Sequence, residues 1–178
     1  MWIIKKIKQN QSGFSLAETL MAVLILLMVS EVVAVGIPSA ASALSKIVDA
    51  SNAQLLLSTT ITKLRDELST ARVNDTDKIE CDSTNTTIQF VDGSGIPCVI
   101  TCKKDDNPGI YIKEGTTDER LFISNAASNK NLHAECSFSY DKGIVTIGVL
   151  KILKGDKEIV REDAVKINVL AADKSSTT

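Results

Sequence analysis

Hydrophobic and polar positions divide the chain into three zones. Residues 1–13 carry Lys5, Lys6 and Lys8 and no acid, and residues 14–38 contain no Lys or Arg at all. Within that second stretch Leu20 to Val29 runs without a polar interruption, and the apolar run resumes at Val32 after Ser30 and Glu31. A helix rises about 1.5 Å per residue and a bilayer core needs about 20 apolar residues, so 14–38 is long enough to span one. From 39 to 73 the periodicity stays helical but becomes amphipathic. Leu44, Ile47, Val48, Leu57, Ile61, Leu64, Leu68 and Ala71 recur at helical spacing, with Asp49, Asn52, Lys63, Arg65, Asp66 and Glu67 between them. Gly36 and Pro38 interrupt the helical stretch, and a kink or locally unwound helix break is expected there, since proline removes a backbone bond and crowds the preceding turn.

Beyond Val73 the polar run Asn74-Asp75-Thr76-Asp77 ends the helix, and short β-type segments separated by turn residues follow. The pattern predicts strands at 86–91, 97–101, 109–113, 120–124, 134–140, 143–153 and 158–170. The clearest pair flanks Lys154-Gly155-Asp156-Lys157 as a hairpin, with Val165, Ile167 and Val169 alternating inward. The expected fold class is α+β: a long N-terminal helix, 14–38 apolar and 39–73 a spine, packed on a C-terminal antiparallel sheet in a head at 74–170. The tail, 171–178, is expected to be disordered.

Two carboxylates sit in the apolar zone, where a charge at the bilayer centre costs about 2.5 to 3.5 kcal/mol. Glu31 lies 17 residues after Phe14, or about 26 Å along a helix, which brings it near the far interface. Glu18 lies close to the near end and has a more specific setting. The junction reads Ser12-Gly13-Phe14-Ser15-Leu16-Ala17-Glu18-Thr19-Leu20, and there the sequence resembles the type IV prepilin and pseudopilin family. That family combines a short basic leader ending in Gly, a first mature residue that is often Phe, Glu as the fifth mature residue, and an apolar helix. The resemblance covers about the first 30 residues.

It implies cleavage between Gly13 and Phe14 by a prepilin peptidase at the cytoplasmic face and N-methylation of Phe14. It also implies assembly through Glu18, whose carboxylate would pair with the terminal amine of a neighbouring subunit, a pair favoured in an apolar core because either charge alone is costly there. The implied partners are other pilin or pseudopilin subunits, an assembly ATPase and a membrane platform protein. The leader lysines place the N-terminus in the cytoplasm and the head outside it. Two other readings of the same region exist. One is a secretory signal peptide cut after Ala41-Ser42-Ala43 to leave Leu44 first. The other is a bitopic, single-pass membrane protein that displays its head as a binding module and never assembles.

Composition narrows the chemistry. The 178 residues hold 20 basic and 22 acidic side chains, 4% aromatics and one histidine, His133. Neither phosphate neutralisation nor base stacking has much to be built from, so no direct nucleic-acid partner is expected. Removing the three leader lysines leaves 17 basic against 22 acidic side chains, a formal charge of −5. No phosphate loop, dinucleotide fingerprint or paired-histidine metal motif is present, so no enzyme activity, cofactor or metal is expected. Asp92-Gly93-Ser94-Gly95 and Asp105-Asp106-Asn107-Pro108-Gly109 read as turns.

Cys81, Cys98, Cys102 and Cys136 all follow the apolar segment, an even number on the exported side, where two disulfides are the leading expectation. Three pairings are possible. On a straight strand Cys98 and Cys102 would lie about 13 Å apart, which rules out a bridge between those two. A four-cysteine zinc site and buried free thiols are the alternatives.

Overall fold

The structure is a computed structural model that describes residues 15–73, 78–104, 107–123 and 132–172. Its elements run in the order α1 (Leu16–Ser69), β1 (Arg72–Val73), β2 (Glu80–Cys81), β3 (Thr87–Val91), β4 (Pro97–Lys103), β5 (Gly109–Glu114), β6 (Arg120–Leu121), β7 (Leu132–Asp141), β8 (Ile144–Lys154), β9 (Lys157–Asn168) and β10 (Ala171–Ala172). The chain divides into two compact units, residues 1–45 and 46–178.

In the first unit, α1 is an apolar helix whose large side chains from Leu16 to Leu44 are all exposed. It carries the chain's stretch long and apolar enough to cross a membrane, which fits a single-pass membrane protein. Pro38 lies inside the helix, and the helical assignment continues through both Gly36 and Pro38. The unwound break expected there is therefore absent. A proline removes its own N–H bond and crowds the preceding turn, but the helical ladder is kept on either side of it.

In the second unit, α1 buries Ala53, Leu56, Leu57, Thr60, Leu64 and Leu68 along one stripe. The 3–4 spacing places them on a single face, as the periodicity predicts for Leu57, Leu64 and Leu68. Leu44, Ile47 and Val48 are exposed instead, so the packed part of the spine begins at Ala53. Thr60 is tolerated in the core because its hydroxyl donates to the Leu56 carbonyl at 2.7 Å. At the end of α1 the Thr70 hydroxyl donates to the Glu67 carbonyl at 3.0 Å, and the Leu170 N–H donates to the Ser69 carbonyl at 3.0 Å. These bonds satisfy acceptors that the helix cannot satisfy itself.

Among the described residues the β region forms two sheets rather than the one expected. Sheet one has seven strands in the order β10-β1-β3-β4-β5-β6, with β2 also paired to β3. Sheet two is the meander β7-β8-β9. β10 pairs in parallel with β1, Arg72 opposite Ala171 and Val73 opposite Ala172. The first two residues of the expected disordered tail are therefore a strand, because they close the edge beside the end of α1. Residues 173–178 lie outside the described residues.

The hairpins follow their turn residues. Lys142 and Gly143 both have positive φ, 46° and 82°, the combination that a two-residue type I′ turn requires. At the second hairpin Lys154 pairs with Lys157, as the sequence pattern predicts. The inner faces of both sheets and the buried stripe of α1 form one core containing Leu64, Leu68, Ile88, Ile100, Ile112, Phe138, Ile147 and Leu150. Two polar contacts tie α1 to this core: Lys63 Nζ donates to the Phe122 carbonyl at 3.2 Å, and Lys154 pairs with Asp49 at 2.5 Å.

Candidate functional site

Gly13 and Phe14 lie outside the described residues, so the site begins at Ser15. The Glu18 N–H donates to the Ser15 hydroxyl at 3.3 Å, and the Ser15 N–H donates to the Glu18 carboxylate at 3.3 Å. This is a reciprocal capping box: Ser15 caps the helix, and Glu18 returns a bond to it. The spacing Ser15-Leu16-Ala17-Glu18 carries that signal in the sequence. The negative charge also suits the positive end of the helix dipole. Glu18 thus has a local partner, and its carboxylate is held at the very start of the apolar surface. Leu20 to Val29 follow it, all exposed, and Ser30 is absorbed by donating to the Leu26 carbonyl at 2.7 Å.

All four cysteines are free thiols, so the two expected bridges are not formed. The topology explains most of this. Cys98 and Cys102 lie on one face of β4, four residues apart, while Cys81 is opposite Ile88, which is itself opposite Ile100. Cys81 is therefore two strand spacings, about 10 Å, from β4, beyond disulfide reach. Cys136 approaches from the other sheet, and its N–H donates to Cys102 Sγ at 3.1 Å. Burial pushes the Cys98 thiol up to about 11, with Asp92 and Glu114 adding to it. Burial also raises Cys81, with Asp82 adding to the effect. Among the described residues no three His, Cys, Asp or Glu side chains gather as a metal site, so the four-cysteine zinc alternative does not assemble.

The acidic turns are structural. The Asp92 carboxylate accepts from the N–H groups of Ser94 at 2.9 Å and Ile96 at 2.7 Å. Asp82 accepts from the Thr86 and Thr87 N–H groups at 2.8 and 2.9 Å and from the Thr84 hydroxyl. The Thr84 hydroxyl and the Thr87 and Thr86 bonds hold its carboxyl down at about 2. Asp105 and Asp106 lie outside the described residues. His133 lines a cavity of about 40 Å³ with Leu56, Thr60, Ile110, Leu121 and Leu132, room for about one or two waters. Among the described residues no acid, serine or cysteine lines that cavity with it.

No protein-family model, curated protein or solved structure matches the chain.

Proposed function

We propose that the chain is a type IV pilin-like structural subunit, a minor pilin or pseudopilin of a pilus-like or type II secretion-like filament. A prepilin peptidase cuts between Gly13 and Phe14, Phe14 is methylated, and the apolar helix then leaves the membrane to pack against sibling subunits. The platform protein and assembly ATPase drive that transfer. The reading gives the protein no catalytic role.

The observation that carries this reading is Glu18 fixed at the start of an apolar helix surface that is exposed from Leu16 to Leu44. Such a surface needs lipid or other apolar helices around it. A carboxylate at its head is costly in lipid and useful where a neighbour supplies a cation.

A second reading is favoured by the capping box. Since Glu18 already bonds to Ser15, its carboxylate serves a simple membrane anchor equally well, with the β region displayed as a binding module. Two substitutions separate the readings. Glu18→Gln keeps the cap and removes the charge, whereas Glu18→Ala removes both. A filament subunit inserts with either substitution, and its recovery in sheared filaments falls at least about tenfold with both, a change equivalent to about 1.4 kcal/mol of lost pairing. An anchor shows no assembly-dependent difference with either. N-terminal sequencing of protein from native membranes adds a second readout. A start at Phe14 supports the filament reading, a start at Leu44 shows a secreted head, and an intact Met1 leaves the unprocessed anchor.

A further inference from the structure

Two cysteines that lie 34 residues apart in sequence meet where the two sheets come together. Cys102 is on β4 and Cys136 on β7, and both are only 5% exposed. The Cys136 N–H donates to Cys102 Sγ at 3.1 Å. The approach is held by backbone on both sides. The Cys102 N–H donates to the Thr86 carbonyl at 2.9 Å, and the Phe138 N–H donates to the Asn85 carbonyl at 2.8 Å. Consecutive residues of the turn before β3 therefore clamp the cysteine-bearing strands of both sheets. A cavity of about 190 Å³ opens onto Cys136, lined by Lys104, Glu135, Ser137, Val149 and Lys151. Its two lysines suit a small anionic thiol reagent.

We propose that Cys102 and Cys136 are the redox-active pair of this chain, and that exchange with a small disulfide such as oxidised glutathione closes a bridge stapling β4 to β7. Cys81 and Cys98 remain thiols. In the first step Cys136 Sγ attacks one sulfur of the oxidant, the oxidant's S–S bond breaks, and the proton of Cys136 passes to the departing glutathione. In the second, Cys102 Sγ attacks Cys136 Sγ, the mixed disulfide breaks, and the second glutathione leaves with the remaining proton. Two cysteine thiols lose two electrons and two protons, and one glutathione disulfide becomes two thiols.

The division of labour follows the surroundings. The neighbouring Cys136 lowers the Cys102 thiol against the opposing effect of burial, which favours the Cys102 thiolate as the resolving nucleophile. Burial and the neighbouring Cys102 push Cys136 up, so the first step sets the rate. This pairing stands on the geometry of the second unit and is independent of filament assembly.

The test uses the full chain in detergent micelles, equilibrated across ratios of reduced to oxidised glutathione, acid-quenched, alkylated and mapped by peptide mass spectrometry. The expected result is a loss of two hydrogens in intact mass, a Cys102–Cys136 linked peptide, and alkylated Cys81 and Cys98. Bridging should raise Tm by about 10 °C, as expected for a loop of about 35 residues, and a reductant should reverse the rise. The variant Cys81→Ser/Cys98→Ser should still form the bridge, and Cys102→Ser should not. Linkage of any other pair, four alkylated thiols in fully oxidised glutathione, or an unchanged Tm after bridging would overturn the proposal.

Discussion

Truncating Leu64 and Leu55 to alanine compares the same chemical change on two faces of one helix. Leu64 has 0% of its surface exposed and Leu55 has 57%. Deleting the end of a fully buried leucine removes about three methylene equivalents from the core, or about 2.4 kcal/mol at about 0.8 kcal/mol each. The cavity left in the core that Leu64 shares with Leu68 and Ile88 adds up to about 1.5 kcal/mol after partial collapse, giving a total of about 3 to 4 kcal/mol. Leu55 is less than half buried and leaves no enclosed void. Its loss is about 1 kcal/mol, and the better helix propensity of alanine offsets a few tenths of that. Urea unfolding followed by far-UV circular dichroism in detergent measures both. With a slope of about 2 kcal/mol per molar, Leu64→Ala lowers the midpoint by about 1.5 to 2 M and Leu55→Ala by less than about 0.5 M, with unchanged slopes. Equal shifts, or a larger one for Leu55→Ala, would refute the buried stripe from Ala53 to Leu68.

Further outcomes follow from individual residues. Asp82 has its folded carboxyl lowered to about 2, so its contribution to stability is complete above the unfolded value near 3.9 and disappears as pH falls through about 2. Asp82→Asn should therefore flatten the stability profile between pH 4 and 2, as read by thermal melts across that range, and a profile identical to the parent protein would contradict this assignment. A Cβ added at Gly148 would lie 2.8 Å from Ser137 Oγ, and turning that hydroxyl away breaks its bond from the Val149 N–H. Gly148→Ala is expected to cost about 1 to 2 kcal/mol in urea melts, with most of the cost absent in a Ser137→Ala background. Ala164 sits within β9 at φ 57°, a conformation that costs a residue with a Cβ about 1 kcal/mol. Ala164→Gly should leave stability unchanged or raise it slightly, and a loss of more than about 1 kcal/mol would count against strain at that position.

The apolar segment and its Glu18 were legible because they depend on local order. A run such as Leu20 to Val29 has the same character in any tertiary setting, and the spacing of Leu57, Leu64 and Leu68 marks one helix face whatever covers it. The hairpin at Lys154–Lys157 was legible for the same reason, since Gly155-Asp156 carries its own turn chemistry, whereas the turn at Lys142-Gly143 falls where the pattern starts a strand. The capping box was equally local, and reading Glu18 together with Ser15 would have found it. The short strands β1, β2 and β10 were not legible. Pairs such as Arg72–Val73 and Ala171–Ala172 have too few residues for a period and become strands only because partners distant in sequence meet them.

The sequence by itself therefore determined the order of parts: a basic N-terminal stretch, an apolar helix, an amphipathic continuation and a region of alternating strands. Each is set by side-chain period and turn residues within a few positions. Tertiary structure decided how the strands divide into sheets of seven and three, and where burial on α1 begins. It also decided which cysteines are neighbours. Four thiols in a row allow three pairings on paper. Strand spacing keeps Cys81, Cys98 and Cys102 apart, while the Asn85-Thr86 turn holds β4 and β7 close enough for Cys102 to meet Cys136.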